Sequence, residues 1–298
     1  MKLENSIGWC DVTGNKVIGC DKVSPGCKNC YAEVGTVARV MRHRAVNPVE
    51  TWGPHGTRIA VADFTAKLRR LNKLCICDGC HETYPVEWLS RPNTHCTNLA
   101  GDFCGIFRRI RFFADSNSDW LDDKWPVETF VEFLREIHSA PNVDVILLTK
   151  RIENWNPKDS LPPNVWPGVS VENQAMADQR IRAVLEIPAA VRLLSVEPLL
   201  EGIDLSLGLL NTTRLDLTGI DWVIVGGESG PARRDCGVEA IVSVAEQCVA
   251  ARVPVYVKQD CAAKAGQQGR IPDEIWKLKQ FPNTSGREGT AVKIEIAQ

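Results

Sequence analysis

Short runs of β-branched and aliphatic residues recur along the chain and predict the strands of a buried sheet. Each run is four to seven residues long, the length typical of strands covered on both faces. The runs are Ile110–Ala114, Val143–Leu148, Val165–Val171, Val191–Val196, Trp222–Val225 and Val253–Val257. Their starts lie about 20 to 35 residues apart, which leaves room for a helix in each connection.

Helical periodicity fills several of these connections. After Pro126, apolar residues from Val127 to Ile137 recur at the spacing that lines one helix face. Further helices are predicted after Glu172 and over Glu239–Ala251. Alternating strands and helices at this spacing indicate right-handed βα units. The fold class is therefore predicted to be α/β, a partial (β/α) barrel of about six units of the TIM-barrel type.

Polar residues follow all six predicted strands. In a (β/α) barrel these positions meet at one face, where active sites are built. A polar residue at one strand end is ordinary, but six such ends in succession favour a shared pocket. The residues are Asp115, Ser116, Asn117 and Asp119; Thr149 and Lys150; Ser170, Glu172 and Asn173; Ser195 and Glu197; Gly226 to Ser229; and Lys258 and Gln259.

One segment, Leu74–Gly105, interrupts the βα rhythm and is rich in cysteine. We therefore divide the chain into three parts. Residues 1–73 carry a cysteine loop and the first barrel elements, residues 74–105 form a small insertion, and residues 106–298 complete the barrel.

Composition narrows the function classes. With 298 residues, 44% of them hydrophobic and 24% charged, the chain is expected to fold compactly. A net charge of −2 gives no global electrostatic case for nucleic acid or membrane binding. No apolar run approaches the length of a membrane span, and we expect a cytoplasmic protein.

Basic residues are locally concentrated. Eight fall between Arg39 and Lys73, against only Glu50 and Asp63, and three arginines follow at positions 108, 109 and 111. A solvated face and a patch that contacts phosphates both explain this stretch.

The twelve cysteines are clustered at short spacings. In a reducing compartment such clusters indicate metal sites more often than disulfides. Cys20, Cys27 and Cys30 have the spacing C-x6-C-x2-C on one loop, around the turn Ser24–Gly26. Three thiolates can hold a [4Fe-4S] cluster with one iron open, whereas Cys10 as a fourth ligand would make a closed zinc site.

The insertion holds a second set. Cys77, Cys80 and Cys96 have zinc-ribbon spacing, Cys104 is the natural fourth ligand, and Cys75 is an alternative ligand. Structural zinc is the favoured hypothesis, because a small insertion without apolar periodicity gains its folding free energy from metal binding. An auxiliary iron-sulfur cluster and a loop of unligated thiols are the alternatives.

Three cysteines stand apart in the sequence. Cys248 falls on the apolar face of its helix and is predicted to pack there. Cys236 is isolated, and Cys261 follows a strand near Lys258, so it is a weaker candidate for the pocket.

Several ordered motifs resemble the bacteriophage three-cysteine-motif family, which is related to radical S-adenosylmethionine (SAM) enzymes. They span nearly the whole chain outside the insertion. The motifs are the loop Gly19–Glu33, then Phe112–Trp120, Leu147–Arg151, Asn164–Asn173, Leu194–Leu199 and Asp221–Pro231.

This resemblance implies a radical SAM-like barrel with a [4Fe-4S] cluster on Cys20, Cys27 and Cys30 that binds SAM. The first cysteine gap is longer than in most radical SAM enzymes, and the aromatic residue, Tyr31, follows the last cysteine. Gly226-Gly227-Glu228 is similar to a SAM-binding motif, although a tight turn also explains the glycines. Further SAM candidates are Ser170, Glu172, Ser195 and Glu197, and candidate substrate contacts are Asp115, Asn117, Lys150 and Lys258.

The family's setting further implies a phage-encoded enzyme in a bacterial host, an isomerase or lyase that acts on a modified thymine in DNA or on a nucleotide. Flavodoxin or ferredoxin would supply electrons, and no membrane partner is expected. The alternatives are a non-catalytic, zinc-dependent module that binds nucleic acid or a partner protein, and a radical SAM enzyme that acts on a small metabolite.

Overall fold

The computed structural model describes residues 3, 7–35, 51–91, 95–97, 101–156, 160–205 and 219–284. Its strands are β1 (Val12–Gly14), β2 (Val17–Ile18), β3 (Ile59–Ala60), β4 (Leu74–Cys77), β5 (Thr83–Pro85), β6 (His95–Thr97), β7 (Phe103–Arg108), β8 (Ile110–Ala114), β9 (Val143–Thr149), β10 (Val165–Ser170), β11 (Leu193–Leu199), β12 (Trp222–Gly227) and β13 (Val255–Gln259). Its α-helices are α1 (Tyr31–Val34), α2 (Phe64–Leu71), α3 (Val127–His138), α4 (Gln174–Leu185), α5 (Val238–Ala251) and α6 (Asp273–Trp276).

A parallel sheet of seven strands, curled into a half-barrel, forms the centre of the fold. Its order is β1-β8-β9-β10-β11-β12-β13, and all neighbouring pairs are parallel. The six strands predicted from sequence are confirmed as β8 to β13. The seventh, β1, is only three residues long and pairs with β8 at one edge. Its short run, Val-Thr-Gly, gives no hydrophobic signal of its own.

The two faces of the sheet carry different cores, because side chains alternate along each strand. Phe112, Val145 and Val223 belong to a core that includes buried residues of α2, α3, α4 and α5. On the other face, Trp9, Phe113 and Trp222 form an aromatic cluster, with 4.8 Å between the ring centroids of Trp9 and Phe113. The sheet is therefore buried on both sides, as its continuous hydrophobic strands predict.

The three predicted helices are confirmed, each with a recognisable local start. Helix α3 begins immediately after Pro126. The side chain of Asn173 caps α4 by accepting a hydrogen bond from the backbone N–H of Met176 at 3.0 Å. Helix α5 follows Gly237 and ends at Ala251, just before Arg252, which has a left-handed backbone. Among the described residues, no helix combines the length and the apolar composition that a membrane crossing requires.

The cysteine-rich segment contains a small antiparallel sheet of its own, in the order β5-β4-β7-β6. Tyr84 of β5 and Phe107 of β7 form an aromatic trio with Trp88, which follows β5, and the ring centroids lie 4.9 to 5.2 Å apart. On β4, Ile76 is 1% exposed and joins the helix-covered core of the large sheet. Through Ile76 the small sheet packs against the half-barrel. In the chain, its strand β7 leads directly into β8.

Candidate functional site

The loop that carries Cys20, Cys27 and Cys30 lies over the carboxyl ends of the strands. The chain reaches it directly from β1 through the short strand β2, which pairs with β3. Near its start, the backbone N–H of Gly19 donates to the carbonyl oxygen of Asn117 after β8, at 3.1 Å. At its end, the Tyr31 hydroxyl donates to the carbonyl oxygen of Ser116 at 2.6 Å. All three cysteines are half-buried.

Arg151, at the end of β9, binds the first cysteine. Its Nη1 donates to Cys20 Sγ at 3.5 Å and to Asp119 Oδ2 at 3.1 Å, and its Nη2 donates to the Asp21 carbonyl oxygen at 2.9 Å. Burial and the charge of Asp119 raise the pKa of Cys20 to about 11, although Arg151 opposes them. Because a metal centre binds the thiolate, its binding must displace a proton from Cys20.

Glu172, after β10, holds the middle of the loop. Its side chain is fully buried, Oε1 accepts from the backbone N–H of Gly26 at 3.0 Å, and Oε2 accepts from Arg180 at 2.9 Å. Burial alone raises the pKa of Glu172, but hydrogen bonds from Ser24 and Gly26 and the charge of Arg180 hold it below its ordinary value. The carboxylate is therefore ionised and satisfied by the loop.

Glu228, after β12, holds the same loop from the other side. Its Oε2 accepts from Asn29 Nδ2 at 3.0 Å and its Oε1 accepts from Arg234 Nη2 at 2.6 Å. Arg234 Nη1 also donates to the carbonyl oxygen of Pro25 at 2.9 Å. Burial opposes ionisation, but these donors lower the pKa of Glu228. Two residues predicted to bind SAM thus contact the cysteine loop directly.

The other predicted SAM residues lie deeper along the same strand ends. Ser170 and Ser195 are each 4% exposed and face one another across β10 and β11. Glu197 forms an ion pair with Lys258, and both side chains are half-buried. Gly226 and Gly227 end β12 and are buried. The structure therefore gathers these residues at the end of the sheet where the cysteine loop lies.

The four residues predicted to contact a substrate differ in their exposure and in their partners. Asn117 and Lys150 are half-buried at the ends of β8 and β9, and Lys258 lies beside Glu197. Asp115 is 3% exposed, and its Oδ1 accepts from the backbone N–H groups of Lys16 and Val17 at 2.9 and 3.0 Å. Asp115 therefore fixes the turn between β1 and β2, and the structure does not present it to a substrate.

The thiols of the two cysteine sets are arranged differently. In the insertion, the Sγ atoms of Cys77, Cys80, Cys96 and Cys104 all lie within 4.8 Å of one another, so this group can hold a metal ion. Among the described residues, no such convergence joins three or more of Cys10, Cys20, Cys27 and Cys30. Cys10 is buried in the aromatic cluster with Trp9.

Two features of the insertion favour metal ligation. The backbone N–H of Gly79 donates to Cys77 Sγ at 3.4 Å, which fixes the position of this sulfur atom in the turn. A Cβ atom on Gly79 would lie 1.9 Å from the Cys104 carbonyl oxygen, so only glycine allows the two cysteine turns to approach this closely. Cys75 is outside the group, and its Sγ donates to the Pro85 carbonyl oxygen at 3.3 Å.

Five basic residues of the stretch between Arg39 and Lys73 are described, and two of them are committed to internal contacts. Arg39, Arg42 and Arg44 lie outside the described residues. Arg58 Nε donates to Asp122 at 2.7 Å, and Lys67 donates to the Thr13 carbonyl oxygen. Of this stretch, Arg69, Arg70 and Lys73 are exposed. Further along, Arg108 binds both carboxylate oxygens of Asp11.

Asn29 within the cysteine loop, and Arg151 and Arg234 in contact with it, were not singled out from the sequence. Arg151 is the last residue of the motif Leu147–Arg151, so its position just after a predicted strand could have identified it as a residue of the site. Asn29 lies between two of the cysteines and could have been found by proximity. Nothing in the local sequence of Arg234 indicates that it reaches Pro25.

Comparison with known proteins identifies a family whose description assigns no activity. The profile of a family described as "Protein of unknown function (DUF5131)" matches residues 4–288. The chain belongs to the DUF5131 family. No curated protein and no solved structure matches it. The chemistry of its own site is therefore what indicates the function of this DUF5131 member.

The four converging cysteines predict one bound metal ion in the insertion. Cys96→Ser removes a ligand from the DUF5131 chain, so we expect elemental analysis of the purified variant to show about one metal ion per chain fewer than the wild type. Cys75→Ser is the matched control, because Cys75 is buried in the same small sheet but lies outside the group. Equal metal contents in the wild type and Cys96→Ser would contradict the assignment.

Asp115 predicts a pH dependence of stability. Burial raises its pKa to about 7, although Lys16 and Val17 oppose the shift. Between pH 4 and 7 the folded chain therefore binds a proton that the unfolded chain has released, and this contribution to stability is lost as the pH rises. The loss is at most about 1.4 kcal/mol per pH unit.

Asp115→Asn keeps the accepting oxygen and removes the titration. In urea unfolding at pH 5 and pH 7.5, we expect the wild type to lose stability relative to Asp115→Asn as the pH rises. Effects of the metal site are common to both proteins and cancel in the difference. A difference that is constant across this range would show that Asp115 is ionised throughout.

Proposed function

We propose that this chain is a radical SAM enzyme that binds a [4Fe-4S] cluster through Cys20, Cys27 and Cys30. One observation carries the proposal: a loop with three half-buried thiols is fixed over the carboxyl ends of a parallel half-barrel. In (β/α) folds this is the face where catalytic groups collect. The resemblance to the phage three-cysteine-motif family supports the same assignment.

The donor set fits a cluster better than a closed zinc site. Ligands of one zinc ion must converge, whereas each cysteine of a [4Fe-4S] cluster binds a different iron atom and the sulfur atoms stay further apart. The three loop thiols do not converge within 4.8 Å, and Cys10 is buried in the aromatic cluster with Trp9. Arg151 places a positive charge beside Cys20, which favours an anionic thiolate centre.

When bound, a reduced cluster of this kind supplies the electron that cleaves SAM to methionine and a 5'-deoxyadenosyl radical. The residues of the chain hold and shield this centre. Glu172 holds the loop through the backbone N–H of Gly26 and Glu228 holds it through the side-chain amide of Asn29, so the thiols keep one geometry. The buried strand ends beneath the loop limit the access of water, which would otherwise quench reactive species.

Binding of SAM is proposed at the strand ends beside the loop. The half-buried pair of Glu197 and Lys258 offers one carboxylate and one ammonium group, which complement the charges of an amino-acid moiety. Ser170, Ser195 and the turn Gly226-Gly227 are the other polar and backbone groups there. Glu172 and Glu228 act in this proposal through the loop that they hold.

Zinc is the metal proposed for the insertion. Around a tetrahedral zinc ion with Zn–S bonds of about 2.3 Å, neighbouring sulfur atoms lie about 3.8 Å apart. The Sγ atoms of Cys77 and Cys104 are 3.8 Å apart, and those of Cys80 and Cys96 are 3.7 Å apart. This spacing supports a structural zinc ion over an auxiliary iron-sulfur cluster.

The proposed substrate is a modified thymine in phage DNA, which the enzyme would isomerise or cleave within the bacterial cytoplasm, with flavodoxin or ferredoxin as electron donor. This assignment of substrate and electron donor rests on the resemblance to the phage three-cysteine-motif family. From the structure, the exposed Arg69, Arg70 and Lys73 remain available for phosphates, whereas Arg58 and Lys67 are committed internally.

SAM cleavage tests the proposed activity. We expect anaerobically reconstituted protein to be brown and, with dithionite, to convert SAM to 5'-deoxyadenosine. Cys27→Ser removes one cluster ligand and should lower that product at least a hundredfold. Cys10→Ala is the matched control and should keep both the colour and the product. A colourless wild type with two zinc ions per chain would instead favour the non-catalytic binding module.

Salt dependence tests the substrate class. If the chain binds DNA through phosphates, its affinity falls steeply between 50 and 200 mM salt, by roughly tenfold or more even for a few contacts. Replacing Arg69 and Arg70 together by glutamine should weaken binding and flatten this slope. SAM cleavage without measurable DNA affinity would point to a small metabolite.

A further inference from the structure

Besides the loop cysteines and the four cysteines of the insertion, two further thiols lie in contact next to the proposed active site, although the sequence gives no sign of this contact. Cys236 precedes α5 and Cys261 follows β13, yet their Sγ atoms are 3.4 Å apart. The expectation that Cys236 stands alone is therefore wrong. Both side chains are half-buried. Forming a disulfide of about 2.05 Å from this contact needs a displacement of little more than 1 Å.

The two thiols differ in chemistry. The hydrogen bond from Cys236 is the largest of the effects that lower the pKa of Cys261 to about 7, with further contributions from backbone N–H groups and with burial and the charge of Asp235 opposing them. The same hydrogen bond, followed by burial, raises the pKa of Cys236. One thiol is thus available as a thiolate near neutral pH, with a protonated partner in contact. That combination is typical of cysteine pairs that undergo thiol–disulfide exchange.

Metal binding is a poorer explanation for this pair. Asp235 lies within 4.8 Å of both thiols and is a third possible ligand. Both of its carboxylate oxygens, however, accept hydrogen bonds from Arg270, each at 2.8 Å. Arg270 also binds Asp260, so the acidic groups here already have a cationic partner. Two thiols without a further available ligand favour redox chemistry over a tetrahedral site.

The pair joins the segment of Arg234, which contacts the cysteine loop, to the segment that follows β13. A Cβ atom on Gly227 would lie 2.3 Å from Cys261 Sγ, so glycine at the end of β12 is what lets this thiol approach. The segment between β12 and Cys236 contains Arg234, which contacts Glu228 and the Pro25 carbonyl oxygen. A covalent bond between Cys236 and Cys261 would fasten this segment to the end of β13.

We propose that Cys236 and Cys261 are a redox-active pair that forms a reversible disulfide with low-molecular-weight disulfides such as oxidised glutathione. The Cys261 thiolate attacks one sulfur of glutathione disulfide, forms a mixed disulfide and releases one glutathione thiolate. Cys236 then loses its proton to water and attacks Cys261 Sγ, which releases the second glutathione thiolate. The protein loses two protons and two electrons, and one glutathione disulfide becomes two glutathione molecules.

This inference goes beyond the proposed SAM chemistry and does not depend on it. The full-length chain is incubated anaerobically with oxidised glutathione, alkylated and digested with trypsin. Cleavage after Arg234, Arg252, Lys258 and Lys264 separates the two cysteines. We expect a linked peptide pair that lacks two hydrogen atoms and disappears with dithiothreitol.

Variants distinguish the roles of the two thiols. In Cys236→Ser, Cys261 has no resolving partner, so its glutathione adduct should accumulate at least tenfold over the wild type. In Cys261→Ser, the adduct at Cys236 should form much more slowly. Cys248→Ala is the matched control, because Cys248 is buried in α5 and should leave the linked pair unchanged.

Two outcomes would overturn the proposal. One is separate alkylation of Cys236 and Cys261 in the glutathione-treated wild type without any linked peptide. The other is an additional metal ion in the wild type that Cys236→Ser loses, which would assign the two thiols to a metal site. Both readouts are independent of 5'-deoxyadenosine formation, so failure here is distinguishable from failure of the proposed function.

Discussion

Buried charges at the carboxyl ends of the strands fix the loop of Cys20, Cys27 and Cys30, and the candidate site depends on them. Glu172 is fully buried with Arg180, and each charge needs its partner because transfer from water is unfavourable. Removal of one partner from such a pair costs about 3–5 kcal/mol. Glu172 also accepts a hydrogen bond from the backbone N–H of Gly26, so the position of the loop depends on the same buried ion pair. The loop and the sheet therefore form one unit.

Convergence of sulfur atoms separates the two cysteine sets of this chain. The insertion brings four thiols to the distances of one tetrahedral ion, and Gly79 allows the close approach that this needs. The loop over the half-barrel holds its thiols at wider separation beside Arg151. One chain thus contains a compact group of four thiols that can hold a metal ion in an insertion, and a separate thiol loop over the carboxyl ends of the half-barrel strands.

The neighbourhood of Glu228 links three features of the molecule. Its carboxylate contacts Asn29 in the cysteine loop, and Arg234 joins it to Pro25. The preceding residue, Gly227, leaves the space that Cys261 occupies beside Cys236. The glycine-rich motif at the end of β12 therefore serves packing and loop support together.

The sequence by itself determined the strands β8 to β13, the helices between them and the four cysteines that converge in the insertion. These features depend on local periodicity or short cysteine spacing, which neighbouring residues specify. Only the tertiary structure added β1, committed Asp115 to the turn before the cysteine loop, and joined Cys236 to Cys261. Their partners lie at distant positions in the chain, and such contacts arise from the curvature and register of the sheet, which no local pattern encodes.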